Sequence, residues 1–225
     1  MNRSVLQLKL PLPPVPAAAV SPFIAAPSNR AALSWLANPE LWPRRQLLLV
    51  AEAGGGKSHL LAQWSAERDG LLVPGADLPP LPPAATVLAI DDADQAPEEA
   101  LLHALNAAAE RGGLVLMSAK CPAALWPARL PDLVSRLRAT ASVEIGRPED
   151  SLLRLLLAKL LAERQLAVPE ILRDWLVRHL PRSPAAIRAA AARLDAMLAP
   201  GSRATHAIAQ AVVEDVVASR KGEGS

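Results

Sequence analysis

The stretch Gln46-Leu47-Leu48-Leu49-Val50-Ala51-Glu52-Ala53-Gly54-Gly55-Gly56-Lys57-Ser58 decides how this chain is read. Behind Gln46, Leu47 to Ala51 form a continuous apolar run, the pattern of a strand buried on both faces. Three glycines follow, and a helix-compatible stretch runs from Lys57 to Arg68. Glycines let backbone N–H groups turn inward around an anion, and the positive end of a helix then lies beneath them. Such a strand, loop and helix bind phosphate, with Lys57 reaching the β- and γ-phosphates and the Ser58 hydroxyl ligating magnesium. The pattern departs from G-x-x-x-x-G-K-[ST] at its first position, where Ala51 stands. The plainer alternative is a glycine-rich turn that merely ends in Lys-Ser.

Outward from this loop the chain alternates between strands and helices. A helix-compatible segment at 29–38 ends at Asn38-Pro39, and Leu71 to Val73 read as a short strand. A Pro-rich loop fills 74–86, and Thr86 to Ile90 form a second buried strand closed by Asp91-Asp92. Pro97 stands at a plausible first helical position before Glu98 to Arg111, Gly112-Gly113 end that helix, and Leu114 to Met117 give a third strand. This alternation predicts an α/β fold, a parallel sheet with helices on both faces. Beyond about residue 147 only helices are expected, at 149–164, 169–180, 184–198 and 205–218, with Pro169, Pro184 and Thr205 at their starts. Leu152, Leu155, Leu156, Lys159 and Leu160 keep the i, i+3, i+4 spacing of one apolar face. The expected organisation is a flexible Pro- and Ala-rich tail at 1–20, an α/β domain at 21–147, a small all-α domain at 148–219 and a disordered end at 220–225.

Composition excludes several classes. Of 225 residues 51% are hydrophobic and 20% charged, enough to bury a core over most of the length. Lys plus Arg number 24 against 22 Asp plus Glu, and a net charge of +2 implies no nucleic-acid surface on charge alone. The single cysteine, Cys121, excludes an internal disulfide and a Cys-rich zinc site. Leu152 to Leu161 is too short to span a bilayer and carries Arg154 and Lys159. Pro11, Pro13, Pro14 and Pro16 break the apolar run near the N-terminus, so no signal helix forms there. A cytoplasmic protein without membrane contact is expected.

The remaining chemistry is carried by few residues. Asp91, at the end of a buried strand taken to lie next to the loop strand, suits a magnesium ion held through water. Asp92 suits orienting or deprotonating an attacking water, although Asp92-Ala93-Asp94 is also a good turn sequence. Ser118, after the third strand, either contacts the γ-phosphate or the water, or simply ends the strand. Arg136 and Arg188 are isolated arginines, and spacing alone gives neither a role. His103 reads as helix packing, and Cys121 has no recognisable His partner.

Taken together the residues resemble the DnaA-related AAA+ family, and most of all its short regulatory members of the Hda type. Pro27-Ser28-Asn29-Arg30 looks like the family's box ahead of the first core strand, and Gly56-Lys57-Ser58-His59-Leu60 is similar to its phosphate-loop ending. Glu99 to Asn106 resembles the helix after the Asp-Asp strand, and Gly113 to Pro122 the sensor-1 strand and turn. Leu130 to Leu137 resembles the segment with the arginine finger, which places that role on Arg136; Arg188 with Leu194-Asp195 is similar to the sensor-2 helix. The likeness covers roughly 20–218. It implies a P-loop NTPase fold with a helical lid, and ADP or ATP with Mg2+ held by Gly54, Gly55, Gly56, Lys57, Ser58, His59, Asp91, Ser118 and Arg188. Gln7-Leu8-Lys9-Leu10-Pro11-Leu12 resembles the peptide by which Hda-type proteins dock on the replicative sliding clamp, through Gln7, Leu8, Leu10 and Leu12. The implied activity is stimulation of ATP hydrolysis on DnaA, by a finger in trans, with weak turnover of its own. A homo-oligomer is compatible with it. The chain stops at Ser225, and only 34 positions separate Lys57 from Asp91, so neither a C-terminal DNA-binding domain nor a long DNA-contacting insertion is expected. Ala51 and Ala119 depart from the family pattern at positions that bear on hydrolysis. A stand-alone ATPase of helicase-loader type and a non-catalytic clamp adaptor are the alternative readings.

Overall fold

Leu47 to Val50 are apolar at every position because both faces of their strand are covered. In the computed structural model, which describes residues 23–81, 84–198 and 202–222, strand β1 (Gln46–Val50) is buried throughout and lies inside a five-stranded sheet. The other strands are β2 (Leu71–Pro74), β3 (Val87–Asp91), β4 (Leu114–Ala119) and β5 (Ala141–Glu144). Their order is β2-β3-β4-β1-β5 and every pairing is parallel. Parallel neighbours need crossovers, and helices supply most of them. The crossover helices are α2 (Lys57–Ala66), α3 (Glu98–Glu110) and α4 (Pro131–Ala139); α1 (Arg30–Ala37) precedes β1, and among the described residues no α-helix joins β2 to β3.

The alternation of side chains along β1 divides the core. Leu47, Leu49 and Ala51 point to one face, where they pack with Ala32 and Leu36 of α1 and Leu60, Leu61 and Trp64 of α2. Leu48 and Val50 point to the other, against Leu101, Ala104 and Leu105 of α3 and Leu133 and Leu137 of α4. A third cluster belongs to α5 (Asp150–Glu163), α6 (Glu170–His179), α7 (Pro184–Met197) and α8 (His206–Gly222). This is the parallel α/β architecture followed by helices that the sequence predicts.

Several details differ. Neither helix α4 nor strand β5 is among the expected elements: α4 buries only Leu133 and Leu137, and β5 only Val143, so the apolar signal of each is short. Asp91 does not stand on the strand next to β1; β4 lies between them. Ser118 lies within β4 rather than after it, and Pro97 precedes the first residue of α3. In α5 the buried stripe is Leu152, Leu153, Leu156, Leu157, Leu160 and Leu161, while Leu155 is 58% exposed. Leu152, Leu156 and Leu160 are buried as expected, but Leu153, Leu157 and Leu161 stand in place of Leu155 and Lys159, since two leucines per turn are buried in a helix packed against α6 and α7. Helix α8 continues to Gly222, past the expected domain end at 219. The clamp-peptide residues Gln7, Leu8, Leu10 and Leu12 lie outside the described residues.

Candidate functional site

The loop between β1 and α2 is set by three glycines and one alanine. Gly54 and Gly56 have φ of +79° and +96°, conformations an L side chain resists. A Cβ on Gly55 would come 2.9 Å from the Ala51 Cβ, so the alanine at the head of the loop is accommodated because residue 55 has no side chain. Lys57 is 6% exposed, and its Nζ donates to the carbonyls of Ala51 at 2.9 Å and Glu52 at 3.3 Å. It thus lies folded across the loop. Ser58, in the first turn of α2, is exposed. The first-turn N–H groups of α2 have no carbonyl one turn back, which leaves positive potential facing the loop.

Asp91, Asp92 and Ser118 form one hydrogen-bonded unit. The register Ile90↔Met117 brings Asp91 beside Ser118. The fully buried Ser118 hydroxyl donates to Asp91 Oδ1 at 2.5 Å and accepts from the Asp92 N–H at 2.9 Å. Asp92 takes a left-handed conformation, φ 48°, which turns the chain sharply out of β3. Gly75 packs against this turn: a Cβ there would lie 2.3 Å from the Asp92 carbonyl oxygen.

The helical cluster closes the other side. Ser183 caps α7 by accepting from the Ala186 N–H at 3.2 Å, and Ala185 presses on Gly54. A cleft of about 440 Å³ remains beside the loop, bordered by Glu52, Gly55, Ile145, Arg147, Arg182 and Ser183. Arg147 donates through Nε and Nη2 to Glu52 Oε1, at 3.2 and 2.8 Å, and that bond raises its affinity for its proton. Arg182 pairs with Asp150 at 2.8 Å. Arg188 lies a turn further along α7, in an adjoining groove with Phe23, His59 and Leu156, where burial pushes its guanidinium pKa down. Phe23 stacks on His59 with ring centroids 5.8 Å apart.

Of the residues singled out from sequence, Gly54 to His59 and Arg188 therefore lie at the loop, while Asp91 and Asp92, two strands along, join Ser118 on β4, the strand beside β1. Arg147, Arg182 and Phe23 were missed. The local signals were an arginine after the fifth strand and an arginine before a Ser-Pro helix start, but both acquire meaning only once the fold is known. His103 is exposed with Nδ1 3.3 Å from the Pro80 carbonyl, and Cys121 is a free thiol.

Arg136 lies elsewhere. It occupies the last turn of α4, where its carbonyl accepts from Thr140 Oγ1, and Thr140 Oγ1 also contacts Gln46 Oε1 at the start of β1. It therefore belongs to the edge where strands begin, whereas the loop follows the end of β1, about 13 Å of strand away. Its side chain lines a polar hollow of about 320 Å³.

The positive-φ glycines and the free N–H groups at the start of α2 make a loop whose chemistry suits phosphate. Among the described residues no three His, Cys, Asp or Glu gather around a metal position. No helix of the described residues is long and apolar enough to cross a membrane.

No protein-family model and no curated protein matches the sequence. Solved structures do. Domain III of the Thermotoga maritima replication initiation protein DnaA is 17% identical, with a TM-score of 0.72 over 87% of this chain and 95% of that one. AMPPCP-bound DnaA from Aquifex aeolicus is 16% identical, with a TM-score of 0.63 over 76% of this chain and 63% of that longer one. The Thermotoga maritima RuvB Holliday junction branch migration motor is 17% identical, with a TM-score of 0.59 over 82% of this chain and 66% of that one. At such identities the likeness concerns architecture. The chain has the fold of an AAA+ P-loop NTPase domain, a five-stranded parallel sheet followed by a group of helices whose place suits a lid.

Proposed function

We propose that the protein is an Hda-like regulator of replication initiation that binds a nucleotide in its own loop and acts on the ATP of DnaA. The observation that carries this reading is the position of Arg136, on the strand-start edge and remote from the chain's own phosphate loop. A guanidinium so placed cannot reach the nucleotide of its own chain, but it can enter that of a neighbour. Arginine fingers of this kind accelerate hydrolysis by roughly 10³–10⁵.

In this scheme the loop glycines, Lys57 and the first turn of α2 cradle the phosphates of ADP or ATP. Lys57 exchanges its carbonyl partners for phosphate oxygens. Ser58 and Asp91 hold Mg2+, which neutralises phosphate charge when bound. Ser118 fixes Asp91 and Asp92, His59 and Phe23 border the base side, and Arg188 reports occupancy to the lid. Arg147 and Arg182, at the cleft rim, are further candidates for phosphate contact. The tail residues Gln7, Leu8, Leu10 and Leu12 dock on the sliding clamp, which raises the local concentration of the body near the initiator. A domain division near residue 147 accompanies this reading.

The test is stimulation of DnaA-bound ATP hydrolysis in the presence of DNA-loaded clamp. Arg136→Ala should abolish stimulation and leave clamp binding unchanged. A Gln7→Ala/Leu10→Ala double variant should lose clamp binding. Normal stimulation by Arg136→Ala would end the finger assignment. A second reading, a stand-alone ATPase of helicase-loader type, is favoured by the intact Asp91–Ser118–Asp92 unit. It predicts substantial intrinsic turnover that Asp92→Asn removes.

A further inference from the structure

The hollow that holds Arg136 contains a second guanidinium. Arg44 stands in the turn before β1, and its side chain lines the same space as Asn106, Asp132, Ser135 and Arg136. Three observations meet there. Arg44 and Arg45 take φ of 53° and 59°, two consecutive non-glycine residues in the left-handed region, a strain that folds keep mainly where it positions something. Neither Arg44 nor Arg136 has an ion-pair partner among the described residues. Two guanidiniums against the one carboxylate of Asp132 leave the hollow net positive.

We propose that Arg44 is a second phosphate-binding residue, which together with Arg136 grips the phosphate chain of a nucleoside triphosphate held by another protein. This rests on the trans-acting reading above. The planar fork of an arginine suits phosphate oxygens, and two forks on separate elements, the turn before β1 and helix α4, fix both position and orientation. In the reaction a water oxygen bonds to the γ-phosphorus and the bond to the β–γ bridging oxygen breaks. ADP and phosphate leave, and the water's proton passes to solvent; neither arginine takes a proton. Arg136 meets the charge that develops on the γ-phosphate, and Arg44 holds the chain behind it. Loss of Arg44 therefore weakens binding of the partner's triphosphate more than the maximal rate.

Arg44→Gly is the informative variant, because glycine keeps the left-handed turn while removing the guanidinium. It should melt no lower than the parent protein. In DnaA–ATP hydrolysis the concentration for half-maximal stimulation should rise about tenfold, with Arg44→Lys between the two. In parallel, tripolyphosphate is titrated calorimetrically into a Lys57→Ala protein, whose own loop is disabled, with and without Arg44→Gly. Weak binding by the parent that falls about tenfold in the Arg44→Gly variant supports the site. No binding by the parent, or equal binding by both, overturns it, as does an unchanged half-maximal concentration in a protein that stimulates. If the wild-type protein stimulates nothing while the tripolyphosphate difference holds, the DnaA reading fails and the anion site stands.

Discussion

Ser118 has one hydroxyl and uses it in both directions, donating to Asp91 and accepting from the Asp92 N–H. Truncation to alanine strands a carboxylate oxygen and a backbone donor beside the sheet, so Ser118→Ala should lower unfolding free energy by about 1–3 kcal/mol. Urea denaturation measures this, and on the stand-alone ATPase reading turnover should fall with it as Asp91 and Asp92 lose their fixed orientation. The sequence left open whether this serine contacts phosphate or merely ends a strand. Its position inside β4, with its bonds turned to the neighbouring strand, assigns it first to holding the aspartates. The place of Lys57 and Ser58, at the start of a helix behind a buried strand, was legible because the loop is contiguous in the sequence. Arg147 and Arg182 were not, since each reaches the cleft from a separate element.

Helix α4 depends on an acid at the start of α3. Both carboxylate oxygens of Glu98 accept from the Arg129 N–H, at 3.1 and 2.9 Å, and one also accepts from the Leu130 N–H at 2.8 Å. Those backbone donors hold the Glu98 pKa below its ordinary value, the Leu130 bond contributing most. A carboxylate whose folded pKa is depressed contributes stability that is complete above its unfolded pKa of about 4.3 and is lost as pH falls through the folded one. The stability gap between wild type and Glu98→Gln should therefore be constant near neutral pH and close below about pH 4, as urea melts across pH 3–6 would show. The helix it anchors carries Arg136, so Glu98→Gln should also weaken stimulation. Elements were the most readable scale in the sequence: apolar runs and proline starts located most helices and strands, but not α4, which buries only Leu133 and Leu137. The exceptions have physical causes. β5 buries one side chain, and α5 buries two leucines per turn, so a single-stripe pattern chose Leu155 wrongly.

For the whole molecule, the phosphate loop is the meeting point of the sheet and the helical cluster: Ala185 and Ser183 press on Gly54, and Ser28 donates through its N–H and hydroxyl to Glu149 at 2.6 and 2.9 Å. Nucleotide binding there should stabilise both parts together. At a hundredfold excess over its dissociation constant, ADP should contribute about 2.7 kcal/mol, a rise of roughly 5–10 °C in melting temperature for a chain of this size. Lys57→Ala should lose most of that shift in a calorimetric scan. The α/β architecture was legible in the alternation of segments, but the strand order was not. Nothing local reveals that β4 inserts between β1 and β3, and so the distance between the phosphate loop and the two aspartates appeared only in the fold.

A parallel sheet also gives a molecule polarity. Because every strand runs the same way, the edge where they end carries the loop and the edge where they begin carries Arg44 and Arg136. A giving face and a receiving face so separated cannot satisfy each other across a two-fold axis that repeats one face against itself. They can be matched only in series, one molecule behind the next. Such a row always ends in one spare giving face, and each copy of this chain that joins it covers the face of the copy ahead. On the trans-acting reading proposed above, only the last copy of such a row keeps its arginines free, so stimulation per molecule should fall as the protein is raised above its target.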